Sequence, residues 1–102
     1  MAKSRLELHA ELCEILGSDN VYFQPPPSVK MKYDAIVYSL GNKDVKHADD
    51  RRYLDSKRYT VTAISKNPDS DLFDRIMDLP YARFDRFYTA DNLNHWVITL
   101  YY

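Results

Sequence analysis

Apolar residues in this chain recur with two different periods, and the order in which the periods alternate leaves few architectures open. From Lys3 to Leu16 the spacing is helical: Leu8, Leu12, Ile15 and Leu16 fall on one face, with Glu7, Glu11 and Glu14 opposite. Ser4, followed by Glu7, has the form of a capping box, and Gly17 stands where a left-handed C-terminal cap wants glycine. The period then drops to two. Tyr33 to Leu40 sets Ile36, Tyr38 and Leu40 against Ala35, Val37 and Ser39, and Arg58 to Ser65 sets Tyr59, Val61 and Ala63 against Thr60, Thr62 and Ile64. A second helix is signalled by Asn67-Pro68 as cap and first-turn proline, with Asp69 and Asp71 at its positive end. Leu72, Phe73, Ile76, Met77 and Leu79 supply its apolar face, and Pro80 stops it. A hairpin follows. Tyr81 to Tyr88 opposes Phe84 and Tyr88 to Arg83, Asp85 and Phe87; Ala90 to Asn94 forms the turn; His95 to Tyr102 returns with Trp96, Ile98, Leu100 and Tyr102 on one face.

Helix, strand, strand, helix, strand, strand in 102 residues predicts one α+β domain over residues 1–102. Its expected form is two-layered: an antiparallel-dominated four-stranded sheet with both helices on one face. The other face then carries tyrosine, threonine and some apolar groups, and a surface of that kind suits assembly with another chain.

Two connections stand out. Val21-Tyr22-Phe23 is a short extended run leading into Pro25-Pro26-Pro27, a stiff segment without backbone donors. It reads either as a rigid connector or as a docking strip. Between the first two strand patterns lies the segment from Gly41 to Lys57, long enough to form a β-hairpin arm. Connections of this length in compact domains are commonly functional or disordered. Folded about its middle, each half would reach roughly 25 Å, more than joining adjacent strands requires.

Composition removes several function classes. With only two glycines, the chain has no phosphate-cradling loop of the Rossmann or Walker kind. Cys13 is the single cysteine, which excludes an intrachain disulfide and a cysteine-rich zinc site; its apolar setting makes it a core filler. A formal net charge of -1 argues against a polycation that coats nucleic acid. The N-terminus is charged, not an apolar leader, and no stretch nears the roughly 20 apolar residues of a membrane span. A reducing cytoplasm is the expected place of synthesis.

Candidate chemistry is thin. His47, Asp49 and Asp50 cluster in the long connection, with Asp34 and His95 elsewhere, and such groups could hold a divalent ion. Yet the neighbourhood mixes Lys43, Lys46, Arg51, Arg52, Lys57 and Arg58 with Asp44, Asp49, Asp50 and Asp55, the makeup of a solvated segment. His9 and His95 lack partners at ligand spacing, and no Ser/His/Asp order is present. The basic residues, with Tyr53 and Tyr59, could contact phosphates and bases, but six cations against four aspartates leave a small excess. No enzyme, cofactor or metal is expected.

Three stretches resemble the small tail-completion, or tail-terminator, proteins of long-tailed bacteriophages. The first is Val21-Tyr22-Phe23-Gln24-Pro25-Pro26 leading into Met31-Lys32-Tyr33-Asp34-Ala35-Ile36-Val37-Tyr38. The second is Lys57-Arg58-Tyr59-Thr60-Val61-Thr62, and the third runs from Phe84 to His95. The resemblance implies a virion protein, assembled in the host cytoplasm, whose copies form a hexameric ring on the head-proximal end of the tail tube. Such a ring ends tube polymerisation, meets the major tail-tube protein and the head-tail connector proteins, and passes DNA through its lumen without reading sequence. Lys43, Lys46, His47, Asp49, Asp50, Arg51, Arg52 and Tyr53, with Pro25, Pro26 and Pro27, are the expected subunit or tube contacts. An alternative turns Arg51 and Arg52 toward the lumen. The rival readings are a head-tail adaptor of the neck and a small nucleic-acid-binding module.

Overall fold

A computed structural model gives the architecture, and it describes residues 5–26, 28–41 and 58–102. The element order is α1 (Arg5–Leu16), β1 (Val21–Phe23), β2 (Ala35–Leu40), β3 (Arg58–Ser65), α2 (Leu72–Met77), β4 (Ala82–Ala90) and β5 (Leu93–Tyr101). The class is α+β. The sheet, however, has five strands in the order β1-β2-β3-β5-β4 and is mixed, because β1 runs parallel to β2 while every other pair is antiparallel. The expected four-stranded sheet missed β1. Three residues are too few to show a period, and their partner lies beyond the proline segment, with Val21 opposite Ile36 and Phe23 opposite Tyr38.

Each element has a local cause. Leu8 and Leu12 are buried on α1, with Cys13, Ile15 and Leu16 packed alongside the core. Gly17 ends the helix with φ at 83°, its N–H bonding the Cys13 carbonyl at 2.8 Å. That is the left-handed cap for which glycine carries no Cβ penalty. The Ser4 cap lies outside the described residues.

The second helix begins later than Asn67-Pro68 suggests. Asn67 Oδ1 accepts the Asp69 N–H at 3.0 Å, and the Asn67 carbonyl accepts the Ser70 N–H at 3.1 Å. The side chain thus closes a local turn and does not cap a helix. Only after Ser70 Oγ takes the Leu72 N–H at 3.2 Å does α2 start, burying Leu72 and Ile76. Arg75 ties the two helices together, donating to the Ile15 carbonyl at 2.6 Å and pairing with Asp71 at 2.9 Å. A cation on the last carbonyls of α1 also meets the negative end of that helix.

Both helices feed one core. Leu8, Leu12, Leu72 and Ile76 pack with Ile36, Tyr38, Tyr59, Val61, Ala63, Ile98 and Leu100 from the sheet. The register makes these strand residues one face: Tyr38, Val61 and Ile98 lie in one cross-strand row, Ile36, Ala63 and Trp96 in the next.

The final hairpin departs from the sequence reading in two places. Its turn is two residues, Asp91 and Asn92, both left-handed with φ of 54° and 62°. Positive φ at both central positions matches the twist of the flanking strands. Second, the β4–β5 register shifts between Phe84 and Arg86, leaving Asp85 as the extra residue of a bulge. Simple alternation separates Phe84 from Phe87. The bulge instead brings both to the helix-bearing face, Phe84 opposite Ile98 and Phe87 opposite Trp96, and sends Tyr88 to the other face opposite His95.

Candidate interaction surfaces

The residues singled out from the sequence divide sharply. Lys43, Lys46, His47, Asp49, Asp50, Arg51, Arg52, Tyr53 and Pro27 lie outside the described residues, as does the expected hairpin arm. The ends of that segment are described and adjacent: the Gly41 N–H bonds the Arg58 carbonyl at 2.7 Å, continuing the β2–β3 ladder. Pro25 is half-buried and Pro26 exposed, just past Gln24. Gln24 anchors them to β2, its N–H bonding the Tyr38 carbonyl at 2.9 Å and its Oε1 accepting the Leu40 N–H at 3.1 Å.

The histidines and Asp34 take structural places. His9 Nδ1 lies 2.8 Å from the Tyr38 hydroxyl, under α1. His95 stacks on Tyr88 across the β4–β5 pair, ring centroids 4.6 Å apart and planes 10° from parallel. Asp34 Oδ1 accepts the Lys66 N–H at 3.2 Å. Among the described residues no group of three His, Cys, Asp or Glu side chains could hold a metal ion. No described helix is long and apolar enough to cross a membrane.

Sequence reasoning missed a polar cluster between α1 and the sheet. Around the Tyr38 hydroxyl stand His9 and Arg5 Nη1, the latter at 3.4 Å. Tyr59 is fully buried, and among the described residues its hydroxyl finds no hydrogen-bond partner. Burial, then the neighbouring Tyr38, pushes the Tyr59 phenol above its ordinary range, with Arg5 opposing the shift. Tyr102 hydrogen-bonds Glu11 and is likewise raised, by burial first and by the Glu11 carboxylate next. Two tyrosines at core positions of period two were the available signal, but the pattern does not say where their hydroxyls go.

The face away from the helices carries the rows Ala35-Ile64-His95-Tyr88, Val37-Thr62-Val97-Arg86 and Ser39-Thr60-Thr99-Arg83, with Arg58 opposite Tyr101. Tyrosine and threonine are there as expected. The face is not uniformly open, however: Ala35, Ile64 and Val97 are buried, being small or branched residues flanked in their rows by His95, Tyr88 and Arg86. The charged residues at these paired positions are Arg58, Arg83 and Arg86, with no carboxylate among them.

Among the described elements the most accessible is β4. It is the edge of the sheet, and every residue from Arg83 to Ala90 is exposed. Phe84 is 46% and Phe87 47% exposed, too much apolar area to count as core. Phe84 meets Phe73 edge-on at 5.3 Å, and Phe87 packs on Trp96 at 5.4 Å. Together they make an aromatic ledge at the end of the short α2. On the other side Arg86 lies over the Tyr88 ring at 5.9 Å. An edge strand of this length leaves a row of backbone groups without a strand partner among the described residues, flanked by exposed aromatics and arginines. No protein-family model, no curated protein and no solved structure matches this chain.

Proposed function

We propose that this chain is a structural subunit of a bacteriophage tail, forming a ring, hexameric in the resemblance, at the head-proximal end of the tail tube. There it ends tube polymerisation and joins the tail to the head connector. The supporting observation is the confinement of both helices to one side of the sheet, with β4 exposed along its length. A unit built this way has finished its own core and still presents a long strand, an aromatic ledge and an arginine-bearing face. In a ring the contact is heterologous, one patch meeting a different patch on the next copy. Residues 41–57 serve as the β-hairpin arm that sets this register, their mixed charges favouring one partner over others.

The test is tube capping. Incubated with the major tail-tube protein, the chain should appear at one end of each tube and limit tube length in electron micrographs. Deleting Asn42 to Ser56 should leave a folded chain, because Gly41 and Arg58 are already side by side, and should abolish capping. Capping by the deletion variant would end the arm assignment; absence of any tube-end binding by the natural chain would end the tail assignment. A neck adaptor is the neighbouring reading, distinguished by binding to connector rings without tubes.

One observation favours a different class. Arg58, Arg83 and Arg86 are the charged residues at the paired positions of one sheet face, an arrangement that suits a nucleic-acid-binding module. A salt-dependent DNA shift lost in an Arg83→Ala, Arg86→Ala variant would establish that reading.

A further inference from the structure

We propose that the outer edge of β4 joins two copies of this chain by antiparallel strand pairing about a two-fold axis passing between Asp85 and Arg86. The contact goes beyond the ring reading: it assigns the β4 edge to an isologous pairing of two copies, and leaves the heterologous contact of the ring to residues 41–57.

The bulge carries the argument. In a regular strand paired with its own copy, residues i and j share a face only when they are an even number apart. The shift at Asp85 breaks that parity within β4: Ala82, Phe84, Phe87 and Thr89 lie on the helix-bearing face, while Arg83, Arg86 and Tyr88 lie on the other. Centring the pair on either Asp85 or Arg86 therefore sets a helix-side residue opposite an outer-side one, and sets like charges face to face. Centring it between them pairs Phe84 with the partner copy's Phe87, Arg83 with Tyr88 and Ala82 with Thr89, every pair on a common face. It also sets Asp85 opposite Arg86, twice by symmetry. Moving the centre one residue toward the N-terminus keeps the faces matched but opposes Arg83 to Arg86, a like-charge pair.

The occupant is thus a second copy, selected by charge. Bulges and charges on an edge strand usually prevent pairing with other chains. Here the same devices are self-complementary, since they reject strands lacking the Asp-Arg order and accept their own reversed image. Among the described residues Asp85 has no ion-pair partner in its own chain, and Phe84 and Phe87 remain nearly half exposed. The paired form covers both aromatics and gives Asp85 its cation, while Arg83 comes to the Tyr88 ring of the other copy.

Sedimentation velocity on the full chain over a concentration series tests this. The natural chain should pass from monomer to dimer. Asp85→Arg and Arg86→Asp should each weaken the dimer ~10-fold or more, because each puts like charges across both copies of the pair. The D85R/R86D double variant should restore it. Both positions are exposed, and circular dichroism checks that each variant is folded. Should a reversal unfold the chain, cysteines replace it: in a Cys13→Ser background, Ala82→Cys with Thr89→Cys should cross-link into covalent dimers on oxidation, and Ala82→Cys with Phe87→Cys should not. A natural chain that stays monomeric, single reversals that leave the dimer intact, or a double variant that fails to recover would each overturn the proposal.

Discussion

β3 and β4 belong to one sheet and have similar lengths, yet they do opposite work. β3 pairs on both sides, buries Tyr59, Val61 and Ala63 under the helices, and even its outer-face Ile64 is shielded. Among the described residues β4 pairs on one side only and buries almost nothing, although it carries Phe84 and Phe87 on the same face of the sheet. Aromatic content therefore does not decide which strand becomes core. Position does: α2 is six residues long and meets Phe84 through Phe73, and among the described residues Phe84 and Phe87 stay nearly half exposed. The inner strands hold the molecule together, and the edge strand adds little buried area.

The contrast can be broken most directly in the core. Ile98→Ala, under both helices, should cost ~2–5 kcal/mol in denaturant unfolding, whereas Phe87→Ala should cost about 1 kcal/mol or less. Equal losses would mean that β4 contributes as much to stability as β5.

The buried tyrosines sharpen the comparison within the inner strands. Tyr38→Phe removes the partner of His9 and should destabilise by about 1 kcal/mol. Tyr59→Phe removes a hydroxyl without a described partner and should be neutral or stabilising by a similar amount. Thermal melts should thus place Tyr38→Phe below the natural chain and Tyr59→Phe at or above it.

Alkaline pH probes the same layer. Tyr59 and Tyr102 are held above the ordinary tyrosine value of 10.0, mainly by burial. The unfolded chain releases these protons more readily, so their contribution is intact below pH 10 and is lost as pH climbs through the folded values. Stability should fall above pH 10, and phenolate absorbance should show Tyr59 and Tyr102 ionising above the ordinary tyrosine value. The smallest effect belongs to the β4–β5 turn, where Asn92→Gly should raise stability by about 0.5 kcal/mol, since φ there is positive.

What could be read from the residues follows the same division. α1, β2, β3 and β5 are legible because burial on one side imposes a period on their sequences. Gly17 is legible because a left-handed cap leaves a chemical trace. β1 is not: Val21-Tyr22-Phe23 becomes a strand only through a parallel partner across the proline loop, a relation absent from local pattern. The Asp85 bulge is hidden for a related reason, since an extra residue reverses every later assignment of face and leaves composition untouched. At Asn67-Pro68 two side-chain uses competed, and the turn won over the cap. Of the candidate contacts, Pro25 and Pro26 are fixed by Gln24, while the aromatic ledge on β4 was concealed by the bulge that creates it.

The strand order also bears on how the chain folds. β4 is made before β5, yet β5 is its sole neighbour in the sheet and must slip in between it and β3. Until β5 docks, Phe84 and Phe87 have no strand to hold them. A chain caught with β5 undocked carries a loose, sticky ribbon, and chaperone capture during refolding should centre on it.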